Sequence, residues 1–196
     1  MKIEQITLEG SEIALKPLTS EHFAELAQVA FENEIWQWTS NQVNDADDLR
    51  RYIENALEDA KKGVALPFVT VEKKSNRIVG ATRFGNIDRH NRRVEIGWTW
   101  INPQWQRTAI NTEAKFLMLR HAFEVWKCVR VELKTDVLNE QSKNAIRRIG
   151  AKEEGILRQH LITDAGRLRD TIYFSIIDSE WEIVKKNLLE KLKRRA

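Results

Sequence analysis

One carboxylate and one loop carry the chemistry that this chain offers at first reading. Glu95 belongs to the run Arg93 to Ile101, in which Val94, Ile96, Trp98 and Trp100 alternate with Glu95, Gly97, Thr99 and Ile101. That period of two predicts a strand, with the tryptophans turned to the core. Asn102-Pro103 ends it, because proline has no N–H to give a ladder. Gln106, Arg107, Thr108, Ala109, Ile110 and Asn111 then lead into an amphipathic helix beginning Thr112-Glu113-Ala114-Lys115. A helix N-terminus seats anions, since its free N–H groups and its dipole both favour negative charge. A phosphate seat beside a strand edge, with one carboxylate in reach, suits a long phosphorylated cofactor and acid–base chemistry next to it.

The elements that must hold this stretch can be read from periodicity. A short strand runs from Ile13 to Leu18, and Ser20 is placed to cap a helix carrying Phe23, Leu26, Ala27 and Ala30. Residues 31–44 read as a connector. Asp45 to Lys62 is a helix, with Leu49, Tyr52, Ile53, Ala56, Leu57 and Ala60 at helical spacing and Gly63 closing it. Leu66 to Glu72 and Arg77 to Phe84 form a hairpin, and Gly85 to Arg92 is a polar turn into the Glu95 strand. Val129 to Thr135 is a further strand, and Asn139 to Ile149 a short helix. Two strands follow, near Glu154–Ile162 and Arg169–Ile177, and Ser179-x-x-Glu182 reads as a capping box for a last helix. The strand–helix–strand unit from Arg93 to Thr135 implies a parallel pair inside a mixed sheet covered by helices, an α/β layered domain.

Composition narrows the classes. A length of 196 residues suits a single domain over 1–196. No apolar run approaches the ~20 residues of a membrane span, and the start has no signal-peptide core, so a cytoplasmic protein is expected. Cys128 is the one cysteine, which excludes an internal disulfide and reads as a small buried hydrophobe. Four scattered histidines give no metal site. The net charge of +3 is local: residues 185–196 carry six Lys/Arg (Lys185, Lys186, Lys191, Lys193, Arg194, Arg195) against Glu190, and the remainder is net negative. A basic helix over about 179–196 is either a solvated end or a dock for RNA; a nucleic-acid reader would show a basic face on its folded body.

With these residues in this order, the chain resembles the GNAT superfamily of acyl-CoA-dependent N-acetyltransferases, over about Ile13 to Trp181. The family signature, Arg/Gln-x-x-Gly-x-Gly/Ala, stands here as Gln106-x-x-Ala109-x-Asn111. Asn111-Thr112-Glu113-Ala114-Lys115, Leu117, Leu119 and His121-Ala122-Phe123-Glu124 are similar to the branch named for ribosomal-protein N-terminal acetyltransferases. So are Asn139-x-x-Ser142, Ile149-Gly150-Ala151, Glu154-Gly155-x-Leu157-Arg158, Gly166, Arg169-Asp170 and Glu180-Trp181.

The resemblance implies a mixed, mostly antiparallel sheet with helices on both faces, in which the Glu95 strand and its parallel neighbour splay apart. Pantetheine would pair with the strand edge at Trp100 and Ile101, as extended ligands do. Pyrophosphate would lie on N–H groups of Gln106, Arg107, Thr108, Ala109, Ile110 and Asn111. Ala109 stands where the family has glycine, so a turn needing positive φ would be disfavoured and CoA held less tightly. Glu95 takes the position of a general base that draws the proton from an amine; the other reading pairs it with Arg93 or a neighbour on a half-exposed strand. The superfamily's thiolate-protonating tyrosine falls at Ile146, leaving Ser142 to donate a hydrogen bond or orient water. Asn139 would hold the pantetheine amides, cap its helix, or both. The Ile101 amide would face the developing oxyanion. Lys143 and Arg147 would reach phosphates or stay in solvent, and Trp36 and Trp38 would shape the acceptor pocket.

The implied activity is acetyl transfer from acetyl-CoA to a primary amine, either a protein N-terminus or a small amine such as a polyamine, amino acid or aminoglycoside. The chain would act as monomer or homodimer. A non-catalytic acyl-CoA-binding module and an RNA-associated adaptor remain as alternatives.

Overall fold

The computed structural model describes residues 1–194 and has eight strands. They are β1 (Leu8–Glu9), β2 (Ile13–Pro17), β3 (Leu66–Glu72), β4 (Arg77–Asp88), β5 (Arg93–Ile101), β6 (Arg130–Asp136), β7 (Lys152–Ile162) and β8 (Leu168–Ile177). One sheet holds them in the order β1-β2-β3-β4-β5-β6-β8-β7. Every neighbouring pair is antiparallel except β5–β6. Six α-helices accompany them: α1 (Phe23–Ala27), α2 (Asn33–Trp36), α3 (Ala46–Lys61), α4 (Ile110–Arg120), α5 (Glu140–Arg148) and α6 (Trp181–Lys193).

The parallel pair is short. Arg93, Val94 and Glu95 face Arg130, Val131 and Glu132, and the pairing stops there, although β5 runs on to Ile101 and β6 to Asp136. The two strands therefore part in mid-sheet. Each keeps its other neighbour: β5 stays on β4 as far as Gly80↔Ile101, and β6 stays on β8 as far as Asp136↔Thr171.

Apolar side chains fill both faces. The larger cluster joins Leu15, Phe68, Phe84, Val94 and Ile96 to Leu117 and Leu119 of α4 and Leu188 of α6. The second lies under α1, α2 and α3, with Leu26, Trp36, Leu49 and Ile53 against Val69, Ala81 and Trp100. Helix α3 starts at Asp45, whose carboxylate accepts from the N–H groups of Asp47 and Asp48, a cap that contributes about 1 kcal/mol.

Glu113, in the first turn of α4, ties that helix to the β1–β2 turn. Its carboxylate accepts from Ser11 N, Ser11 Oγ, Glu12 N and Ile13 N at 2.7–2.9 Å. Gly10 leaves the space for it, since a Cβ there would lie 2.5 Å from the Glu113 carboxyl carbon.

Several expectations are corrected. Strand β1 was not expected, and β4 continues to Asp88 because Gly85 and Asp88 pair with Glu95 and Arg93. Ser20 opens a 3₁₀ turn, Ser20–His22, rather than capping a long helix, and α1 is five residues. The connector holds α2, which buries Ile35 and Trp36. Ser179 does not cap α6: it lies in a 3₁₀ turn where Glu180 accepts from Ile177 N at 3.1 Å. The β5 alternation breaks at Trp98, where φ is +48° and β5 takes an extra residue against β4. Val94 and Ile96 thus join the larger cluster while Trp100 joins the other. Within the basic tail, Lys185 pairs with Glu124 at 2.7 Å and Lys191 donates to the Arg148 carbonyl. Arg195 lies outside the described residues.

Candidate active site

Where β5 and β6 part, a cleft of about 840 Å³ opens. Glu95 stands at the fork, 2% exposed. Asn86 Nδ2 donates to its Oε2 at 2.7 Å, and Lys134 Nζ on β6 lies 2.9 Å from the same oxygen. Oε1 makes no hydrogen bond to a described residue and lies over Gly97, where a Cβ would sit 2.7 Å from it. Arg93, the neighbour expected as a partner, turns instead to Asp88 and Glu132 at 3.2 and 3.4 Å. The carboxylate is held on one side and open on the other.

The β5 edge beyond the fork faces the gap. Asn102 N donates to Val79 O at 2.9 Å, so residues 79 and 102 form a hydrogen-bonded pair. Antiparallel ladders alternate, so the N–H and C=O of Ile101, opposite Gly80, point away from β4 and into the cleft. Gln106 Nε2 already donates to that carbonyl at 3.0 Å, and Gln106 Oε1 accepts from Gln141 Nε2 of α5 at 2.8 Å. Gln106 thereby links both walls.

The loop into α4 differs from expectation at one residue. Ala109 is the N-cap of α4 with φ −72° and ψ −20°, an ordinary helical conformation, so glycine has no conformational advantage there. The left-handed residue is Arg107, at φ +62°. No side chain caps α4 from Ala109, which leaves first-turn N–H groups for an anion. Thr108 Oγ1 donates to Trp105 O and accepts from Ile110 N. Arg107, Thr108 and Asn111 line the cleft; Ile110 is buried behind it.

On the opposite wall, Asn139 Oδ1 accepts from Ser142 N at 2.9 Å, so Asn139 caps α5. Asn139, Ser142 and Ile146 line the cleft. Lys143 does not: it pairs with Glu140 at 2.6 Å, one stripe round the helix. Arg147 likewise pairs with Glu153 at 2.8 Å. Arg148, not anticipated, lines the cleft and donates from Nη2 to Thr112 Oγ1 at 3.4 Å beside the start of α4.

The acceptor side is aromatic. Trp36 lines the cleft but is 3% exposed; its Nε1 donates to Ala30 O at 2.6 Å and its ring packs 5.4 Å from Tyr52 and 5.5 Å from Trp100. Trp38 is half-buried beneath Arg167, 5.8 Å from ring to guanidinium. Trp98 is stacked by Arg83 at 4.2 Å.

One buried amine escaped sequence reasoning although it lies in the quoted motif. Lys115 Nζ donates to the hydroxyls of Thr99 and Thr82 under the β5 bulge, and burial pushes its pKa down to about 7. Burial also raises the Cys128 thiol to about 11, consistent with an inert hydrophobe. Among the described residues no cluster of His, Cys, Asp and Glu could hold a metal, and no helix is long and apolar enough to cross a membrane.

This geometry agrees with what the chain is similar to. YdaF of Bacillus subtilis (strain 168), named "Putative ribosomal N-acetyltransferase", is 35% identical over 105 residues, which is 54% of this chain and 56% of that relative. The crystal structure of a GCN5-related N-acetyltransferase from Brucella melitensis superposes with a TM-score of 0.89 at 30% identity, covering 98% of this chain and 87% of that one. Mycobacterium smegmatis RimJ, solved in complex with CoA-disulfide, shares the fold with a TM-score of 0.78 at 22% identity, covering 91% and 88% of the two chains. The family model described as an acetyltransferase (GNAT) domain matches residues 12–152, and the chain belongs to the GNAT family of acetyltransferases.

Proposed function

We propose that this chain, acting as a single domain, transfers the acetyl group of acetyl-CoA to a primary amine in the cleft between β5 and β6. The observation that carries this reading is the three-residue limit of the β5–β6 pairing, which opens a cleft lined by Glu95 at the fork and by Ile101 further along the β5 edge. Pantetheine pairs with the β5 edge at Trp100 and Ile101 and is steadied by Asn139. The diphosphate rests on the first-turn N–H groups of α4 beyond Ile110, with Arg107 and Arg148 at its rim. That a protein of the same fold was solved in complex with CoA-disulfide supports a CoA ligand for this chain.

The amine enters from the side of Trp38 and Tyr52. Glu95 Oε1 takes the ammonium proton, directly or through one water, and the neutral amine attacks the thioester carbon. The oxyanion forms against the Ile101 N–H, a donor of a kind that contributes ~3–4 kcal/mol to such steps. The C–S bond breaks, the nitrogen gives up its second proton to water oriented by Ser142, and that water passes a proton to the thiolate, leaving a neutral amide and free CoA thiol. Lys134 holds Oε2 and keeps the carboxylate at the fork. The name of the YdaF relative, a ribosomal N-acetyltransferase, supports an amine of a ribosomal component as acceptor. A second polar cavity of about 660 Å³ shares Asn41 and Tyr52 with the cleft and gives room for residues after the first.

The test is a thiol-release assay with acetyl-CoA and a panel of peptides and small amines, paired with thermal shift. Acetyl-CoA at ~100 times its Kd adds roughly 2.7 kcal/mol of apparent stability. Stabilisation with turnover of an amine supports the reading. Stabilisation without turnover of any amine reduces the protein to an acyl-CoA-binding module, and no stabilisation removes the cofactor.

A further inference from the structure

The acceptor end of the cleft holds a guanidinium with one distant ion pair and no hydrogen bond to a described residue. Arg169, on β8, lines the cleft and is 6% exposed. Its side chain makes no hydrogen bond to a described residue, and its buried Nε is unpartnered. The nearest carboxylate, Asp136, is 3.9 Å away and already committed. Asp136 is fully buried; its Oδ2 receives Arg167 Nη2 and its Oδ1 accepts from Leu138 N at 2.9 Å. A buried cation without a close partner is costly, and natural structures seldom keep one idle.

Neighbouring atoms repeat the pattern. Thr171 Oγ1, two residues along β8 and so on the same face, is buried without a partner. His160 Nδ1 is another, its ring edge-on to Tyr173 at 5.7 Å. Tyr173 stands opposite Lys134 in the β6–β8 register, and Lys134 is the residue that holds Glu95. One polar face therefore runs from Glu95 across β6 and β8 to Arg169. On it Lys134 is matched by Glu95 and Arg167 by Asp136, and Arg169 is the cation in excess. Glu95 and Asp136 are both near enough to favour the charged guanidinium against the effect of burial. A guanidinium fork matches a carboxylate with two parallel hydrogen bonds.

We propose that Arg169 receives a carboxylate of the acceptor, so that the amine acetylated here belongs to a molecule bearing an acid group beside that amine. The proposal rests on the N-acetyltransferase reading above and adds a substrate class to it. The carboxylate comes either from a free amino acid or from an acidic first residue of a peptide.

Initial rates of thiol release by the full chain, with two matched pairs of acceptors, test it. One pair is glycine and glycinamide; the other is Asp-Ala-Ala-amide and Asn-Ala-Ala-amide. In the pair that matches the source, the acid member is expected to have a kcat/KM at least about tenfold higher. Arg169→Met is expected to bring the acid member down to its partner through KM, and Arg169→Lys to recover part of the difference. Equal turnover of acid and amide members in both pairs overturns the proposal. So does an Arg169→Met variant, folded by thermal unfolding, that slows all four acceptors by the same factor. If Arg169→Met does not fold, Arg169→Lys and Arg169→Gln take its place with the same criterion. If CoA binds but no acceptor is turned over, it is the transferase reading that fails. Calorimetric titration of the CoA-loaded protein with glutarate then decides the carboxylate site: heat lost in the variant supports it, and no heat in the parent overturns it.

Discussion

Glu95 and Glu113 are 2% and 4% exposed, yet their surroundings differ in kind. Glu113 has both oxygens saturated, with four donors from the Ser11–Ile13 turn. Glu95 receives both of its partners on Oε2 and turns Oε1 to the cleft above Gly97. Burial alone therefore does not mark a carboxylate for chemistry. A saturated one fastens α4 to the sheet edge, and a half-satisfied one at a strand fork has capacity left for a proton.

The difference can be broken from either side. Glu113→Ala removes an acceptor and leaves four donors facing a void, which is expected to lower unfolding stability by about 3–5 kcal/mol in denaturant titrations. A loss below about 1 kcal/mol would mean that the turn finds water instead. Glu95→Gln is expected to cost at least about 100-fold in kcat, equivalent to ~2.7 kcal/mol of barrier, with a smaller loss of stability than at Glu113. Full kcat across the pH range would make Glu95 a structural partner of Lys134 and no more.

Lys115 sharpens the contrast from the opposite charge. Its amine ionises near 10.4 in an unfolded chain and about 7 in the fold. Between those values the unfolded chain binds more protons, so stability rises with pH from about 7 to about 10, by up to ~1.4 kcal/mol per unit. Below 7 both states hold the proton and the contribution is flat. Lys115→Met is expected to flatten the rise between pH 7.5 and 9 in unfolding titrations; an unchanged slope would place the titration elsewhere. The smallest effect is expected at Ala109→Gly. Because φ at Ala109 is −72°, CoA affinity by calorimetry should change by less than about 0.5 kcal/mol. A large gain would show that the methyl obstructs the diphosphate.

The sheet and most helices were legible because their apolar periods are long, as in α3 and β5. What escaped has physical reasons. Strand β1 is two residues and carries no period. The bulge at Trp98 depends on the register with β4, which sequence spacing does not encode. On α5, residues 142, 145, 146 and 149 form one stripe and 143 and 147 the next, so helical phase alone would have set Lys143 aside. Ala109 stands where the family has glycine, yet the positive φ of this loop is at Arg107, which spacing does not reveal. Arg169 was visible as part of a motif, but only the fold shows that its buried Nε has no hydrogen-bond partner.

The claim on which the rest depends is that acetyl-CoA occupies the β5–β6 fork. Calorimetric titration of acetyl-CoA into the protein and into Ser142→Trp, which fills the fork from α5, tests it most directly. The account predicts one molecule bound per chain in the parent and a loss of binding in the variant. Undiminished binding in a folded Ser142→Trp protein, or no heat in the parent, would contradict it.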